Sequence, residues 1–100
     1  MSKTLTINSK WWLQGDIRKL LSVEERGVFI DLLALANESS ERGVICRAKG
    51  IPYTMDYLST YLNTDSQLIE LTIAKCINRE IISNDKYGCF VVNSWNKYNV

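Results

Sequence analysis

Residues 54–79 read TMDYLSTYLNTDSQLIELTIAKCINR, two short helical patterns separated by a stop and a restart. Thr54 is a capping residue, its hydroxyl placed to accept from a free amide of the first helical turn. Met55, Leu58 and Leu62 then recur at the spacing that gathers apolar side chains on one helix face. Asn63 tolerates the left-handed backbone that ends a helix. Thr64 and Gln67 stand at the two ends of a capping box, which predicts a second helix start. Ile69, Ile73, Cys76 and Ile77 form the buried stripe of that second helix, which ends near Arg79. Two helices joined by so few residues read as a helix-turn-helix.

Outward from this unit the chain alternates helix and strand signals. Residues 81–83 and 89–93 read as strands on either side of the polar turn NDKYG at 84–88. A lone hairpin cannot bury its apolar face, so it needs a third strand, and VIC at 44–46 is the edge strand available. Ser22 and Glu25 form another capping box, opening a helix over 24–36. Val28, Phe29, Ile30, Leu32, Leu33, Leu35 and Ala36 make that helix apolar on most sides, which places it at the centre of the core. Gly27 lowers its propensity, a cost that a closely packed neighbour would explain. NESSERG at 37–43 reads as a polar loop, and 11–21 as an aromatic lead-in with a short helix after Gly15. The expectation is one α+β, mainly helical domain over residues 1–100, a winged helix. Its parts are the lead-in at 11–21, a core helix at 22–37, a helix-turn-helix at 54–79, a β-hairpin wing at 81–93 and a tail at 94–100.

Composition narrows the chemistry. The chain has 100 residues, enough for one core, with 46% hydrophobic and 23% charged residues. The most apolar stretch, 28–36, is interrupted by Asp31 and is too short for a membrane span, and the first residues lack a secretory run. The expected location is the cytoplasm. Cys46, Cys76 and Cys89 form no CxxC pair, so they read as core thiols rather than as a disulfide framework or zinc site. With no histidine in the chain, the commonest general base and the serine- and cysteine-histidine systems are absent. No GxGxxG, GxxxxGK[ST] or HExxH occurs. The reading is a binding module without catalysis, cofactor, metal or membrane. The net charge of +1 requires any contact with DNA to come from a local patch.

Two segments resemble a known family. The run WLQGDIRKLLSVEERGVFIDLLALA at 12–36 and the close NSWNKY at 93–98 are similar to the amino-terminal domain of phage replisome organisers and DnaD-like primosomal proteins. The likeness spans residues 11–98. It implies a winged helix that recognises origin duplex or self-associates, in a phage- or prophage-encoded protein of the bacterial cell. It also implies a second, carboxy-terminal domain that contacts single-stranded DNA and a helicase or its loader. Members of the family differ in whether the amino-terminal domain oligomerises or binds duplex, and both uses stay open for this chain.

The candidate contacts follow from the helix-turn-helix geometry. With Ile69 and Ile73 inward, the 100-degree step turns Gln67, Glu70, Ala74 and Asn78 outward. Gln67 and Asn78 suit adenine edges, and Glu70 accepts from cytosine at best. Thr64 and Ser66 stand at the helix start, where free amides favour phosphate, and Lys75 and Arg79 flank the face. Lys86 and Tyr87 occupy the wing tip. Arg42, Arg47 and Lys49 form the densest basic stretch, suited either to phosphate or to guarding an edge strand. Adjacent Trp11 and Trp12 suggest one ring in the core and one exposed, at a subunit interface or stacked on bases. The bland alternative for the outward face is a solvated helix surface. A protein-interaction scaffold, favoured by the low net charge and Glu70, and a winged-helix transcriptional regulator are the rival functions.

Overall fold

The computed structural model describes residues 4–98. Two short helices, α1 (Ser9–Gln14) and α2 (Asp16–Leu20), form the lead-in, where a single short helix was expected. Asn8 caps the first through its side chain, accepting from the Trp11 amide at 3.0 Å. Next comes α3 (Val23–Glu38), opened by the expected capping box: Ser22 Oγ accepts from the Glu25 amide at 3.2 Å, and the Ser22 amide donates to Glu25 Oε1 at 2.8 Å. Val28, Phe29, Leu32, Leu33, Leu35 and Ala36 are buried along α3, which packs on the later helix at 66–78 and on the sheet.

The polar loop predicted from Asn37 begins later than expected. Asn37 is still helical and is buried at 1% exposure. Its amide oxygen accepts from Arg42 Nε and Nη2 at 3.1 and 2.6 Å, so the loop folds back and satisfies the buried side chain. Gly27 has no close neighbour either, for a Cβ added there would meet open space.

After strand β1 (Val44–Ile45) come α4 (Met55–Tyr61) and α5 (Ser66–Asn78), the pair read first in the sequence. Thr54 caps α4 as expected, accepting from the Tyr57 amide at 3.1 Å, and Asn63 has the left-handed φ of 51°. The cap of α5 differs. Asp65, not Thr64, accepts from the Gln67 amide, at 2.7 Å, and the Thr64 hydroxyl turns back to the Leu62 carbonyl at 2.9 Å. A carboxylate is the stronger acceptor for a helical amide, so the box spanning Thr64 and Gln67 does not form. The buried stripe of α5 is Ile69, Thr72, Ile73 and Cys76, while Ile77 lies exposed. Thr72 can take the inner position because its hydroxyl donates to the Leu68 carbonyl at 2.8 Å.

The chain closes with β2 (Ile82–Asn84), β3 (Phe90–Val92) and a short helix, α6 (Trp95–Tyr98), where only a tail was expected. The strands form an antiparallel sheet in the order β1-β3-β2, with Val44 opposite Val91 and Ile82 opposite Val92. The short strand at 44 is therefore the edge partner of the hairpin, as the sequence predicted. Among the described residues the architecture is α+β, mainly helical, with this small sheet against α3 and α5.

Candidate nucleic-acid interface

The outward face of α5 is exposed where the helical step puts it, at Gln67, Glu70, Ala74 and Asn78. Its surroundings are less suited to phosphate than the sequence suggested. Asp65 sets a negative charge over the free amides of the first turn, and the Thr64 hydroxyl is occupied and Ser66 half-buried. Exposed Leu71, at 50%, and Ile77 stand on the same helix.

Lys75 is not a free cation. Its ammonium lies 2.8 and 2.9 Å from the two oxygens of Glu25, whose carboxylate is almost wholly buried. The Lys75 ammonium and then the Ser22 amide hold the Glu25 carboxyl below its ordinary value of 4.5, against the opposing effect of burial. One glutamate thus caps α3 and ties it to α5. Arg79 follows the last turn of α5 and borders a polar pocket with Asp16, Glu80 and Lys97.

The wing tip and the basic stretch, two separate candidates in the sequence, meet in the structure. Residues Ala48 to Ile51 make a tight turn in which Gly50 adopts φ 74°, a conformation that L side chains resist. The ring of Tyr87 lies so close that a Cβ on Gly50 would touch it at 3.5 Å. Lys86 Nζ stands 5.1 Å from the centre of that ring. Lys49 is the exposed residue beside Gly50, and Arg47 precedes the turn. Arg47, Lys49, Lys86 and Tyr87 therefore belong to one end of the molecule. Arg42 does not join them, since it is held by Asn37.

The same end carries tyrosines that sequence reasoning missed. Tyr53, just before the cap of α4, and Tyr57 and Tyr61 on it have successive ring centres 5.5 and 6.0 Å apart, and the Arg47 guanidinium lies 4.2 Å over the Tyr57 ring. Tyr57 and Tyr61 are 39% and 62% exposed. Burial, with smaller contributions from Tyr61 and Tyr57, raises the pKa of the Tyr53 phenol. Beside them opens a groove of about 510 Å³ lined by Arg47, Lys49, Tyr53, Tyr61 and, on the α3 side, Glu38. The spacing of four residues from 53 to 61 was the available signal.

Trp11 and Trp12 depart from expectation, because neither ring is exposed. Trp11 meets Tyr98 edge-on at 4.3 Å, and Trp12 stacks with Phe29 at 6.3 Å. Adjacent positions on a helix diverge by only about 100°. A helix lying across the seam between α3 and α6 can therefore press both rings against the core. The exposed apolar residue of α1 is Leu13. Cys46, Cys76 and Cys89 are free and buried, as expected of core thiols.

Among the described residues no three His, Cys, Asp or Glu side chains gather as a metal site, and no helix is long and apolar enough to cross a membrane. No curated protein and no solved structure matches the chain. Residues 22–100, from the capping serine of α3 through the β2–β3 hairpin, match the family model described as the N-terminal phage replisome organiser. That match covers most of the chain and includes the α4–α5 pair and the basic, tyrosine-rich end, so the protein belongs to the N-terminal phage replisome organiser family.

Proposed function

We propose that this replication-initiation domain is a winged helix that binds duplex DNA without catalysing a reaction and positions helicase-loading partners on it. The observation that carries the reading is the arrangement around the sheet. The α4–α5 pair is followed directly by the β2–β3 hairpin, and β1 joins it as third strand in the order β1-β3-β2. In such a unit the second helix of the pair enters the major groove and the hairpin grips the flanking backbone. Gln67 and Asn78 are the exposed amides available for base edges, and Arg47, Lys49 and Lys86 are the cations available for phosphates. The domain would thus mark a site chiefly through the backbone, with few direct readers of sequence, as part of a homo-oligomer in the bacterial cytoplasm.

A second reading has its own support. Leu71 and Ile77 make the outer face of α5 partly apolar beside Glu70, and Leu13 is exposed on α1. These features favour self-association through α5, with DNA contact left to the wing end alone.

The test is a fluorescence-anisotropy titration with labelled random duplex across a salt series, with mass measured by light scattering in parallel. Binding that weakens steadily with salt is the expected result. A stable dimer or tetramer that ignores duplex at the lowest salt contradicts the DNA reading and leaves self-association alone.

A further inference from the structure

Tyr57 and Tyr61 are spaced at i and i+4 on α4, which sets their side chains about 6 Å apart along the helix, and Tyr53 stands one residue before the Thr54 cap. The three rings are neighbours in succession, with centre distances of 5.5 and 6.0 Å and tilts of 31° and 32°. Leu58 is the buried residue of α4, Tyr53 packs half-buried against the core, and Tyr57 and Tyr61 are exposed. Neighbouring aromatic residues on a helix give it a little stability by themselves. That effect does not account for the cations beside the ladder.

The Arg47 guanidinium stacks over Tyr57 at 4.2 Å, and Lys49 lines the same groove as Tyr53 and Tyr61. A guanidinium stacked on a ring keeps its in-plane N–H edge available for a phosphate, which it can grip with two parallel bonds. The exposed rings of Tyr57 and Tyr61 with cations beside them are the two parts of a surface for unpaired nucleic acid, where bases stack and phosphates pair.

We infer that Tyr57 and Tyr61, flanked by Tyr53 and with Arg47 and Lys49, form a stacking surface for single-stranded DNA, which shares these two cations with the duplex contacts proposed above and adds rings that the duplex does not use. The chain belongs to a replication family, whose template is DNA. The rings read no base edge, so the surface tolerates any sequence, and its affinity falls with salt as the Arg47 and Lys49 contacts are screened. It places unpaired strand against a domain that can also hold duplex, as at the border of a melted site.

The experiment uses the full chain and a fluorescein-labelled oligothymidylate, with oligouridylate and a random duplex as parallel arms. Tyr57→Ala combined with Tyr61→Ala is expected to weaken oligothymidylate binding by about tenfold or more, with the circular dichroism spectrum unchanged because both residues are exposed. Tyr57→Phe combined with Tyr61→Phe keeps the rings and is expected to bind within about twofold of the original. Duplex affinity is expected to change much less than oligothymidylate affinity in the alanine pair, because Arg47, Lys49 and Lys86 keep their charges, and a protein that fails to bind duplex yet holds oligothymidylate through these rings leaves this inference standing. Unchanged oligothymidylate affinity in the alanine pair overturns it. So does tighter binding of oligouridylate, which makes the strand RNA, or an altered oligomer mass without loss of oligothymidylate, which makes the ladder a protein interface.

Discussion

The two ends of the molecule are built from the same residue types and do opposite things with them. At one end Trp11, Trp12, Phe29 and Tyr98 pack ring to ring, with Arg18 and Lys97 lying over the indoles. At the other, Tyr53, Tyr57 and Tyr61 follow one another with Arg47 over the Tyr57 ring, and Lys86 lies over the ring of Tyr87. The first set closes around α3, where Phe29 and Tyr98 are buried. The second lies at α4 and the β2–β3 hairpin tip, where Tyr57, Tyr61 and Tyr87 are exposed. An aromatic ring with a cation on it is therefore no sign of function by itself. What separates the ends is whether the rings converge on a buried helix or follow one another at an exposed surface.

Truncating the closed end should give the largest effect. Phe29→Ala removes the ring shared by Trp12 and Tyr98 and is expected to cost about 3–5 kcal/mol, read as a lowered urea midpoint. Lys75→Ala leaves the Glu25 carboxylate buried without its ammonium. A loss of about 2–3 kcal/mol is expected, below that of a fully enclosed pair because Lys75 is 37% exposed. Since this change acts on the core, weakened DNA binding in a Lys75 variant reports on folding and not on contact.

The same ion pair sets the response to acid. The folded-state pKa of Glu25 lies below its ordinary 4.5, so its contribution is present above that pH and is lost as pH falls through the folded value. Wild-type stability should drop on acidification below about pH 4.5, and a Glu25→Gln variant should flatten that limb. On the alkaline side, burial pushes both the Cys76 thiol and the Tyr98 phenol up to about 12. Their protonated forms stabilise the fold below the ordinary values of 9.0 and 10.0, and that stability is lost as pH climbs towards 12. A urea midpoint that stays level from pH 9 to 12 contradicts that assignment.

Smaller effects are expected where nothing packs. Gly27→Ala should stabilise by about 0.5–1 kcal/mol, because the site is helical, exposed and open to a Cβ. Tyr57→Ala with Tyr61→Ala should change the midpoint by no more than about 0.5 kcal/mol, the scale of i, i+4 pairs on a helix surface. A loss of several kcal/mol there would move the open end into the class of the closed one.

Much of the framework was legible because caps and turns are local chemistry. Ser22 with Glu25, Thr54 and Asn63 act at the ends the sequence assigns them. Departures come from partners distant in sequence or from a stronger local competitor. Lys75 looked like a surface cation because Glu25 lies fifty positions away. Asn37 looked like loop because Arg42 supplies the bonds that let it be buried. Thr64 lost the cap to the carboxylate beside it. The four-residue tyrosine spacing was plain in the sequence, yet the meeting of Arg47, Lys49, Lys86 and Tyr87 was not. It depends on Gly50 admitting a ring from the far end of the chain.

The most direct measurement is the dependence of duplex affinity on salt in the wild type and in an Arg47→Ala, Lys49→Ala, Lys86→Ala variant. Each phosphate contact adds about 0.9 to the slope of log affinity against log salt. If the open end holds the backbone, the variant's slope should be shallower by about 2–3, with the urea midpoint unchanged. An unchanged slope would contradict the account and return the contact to α5.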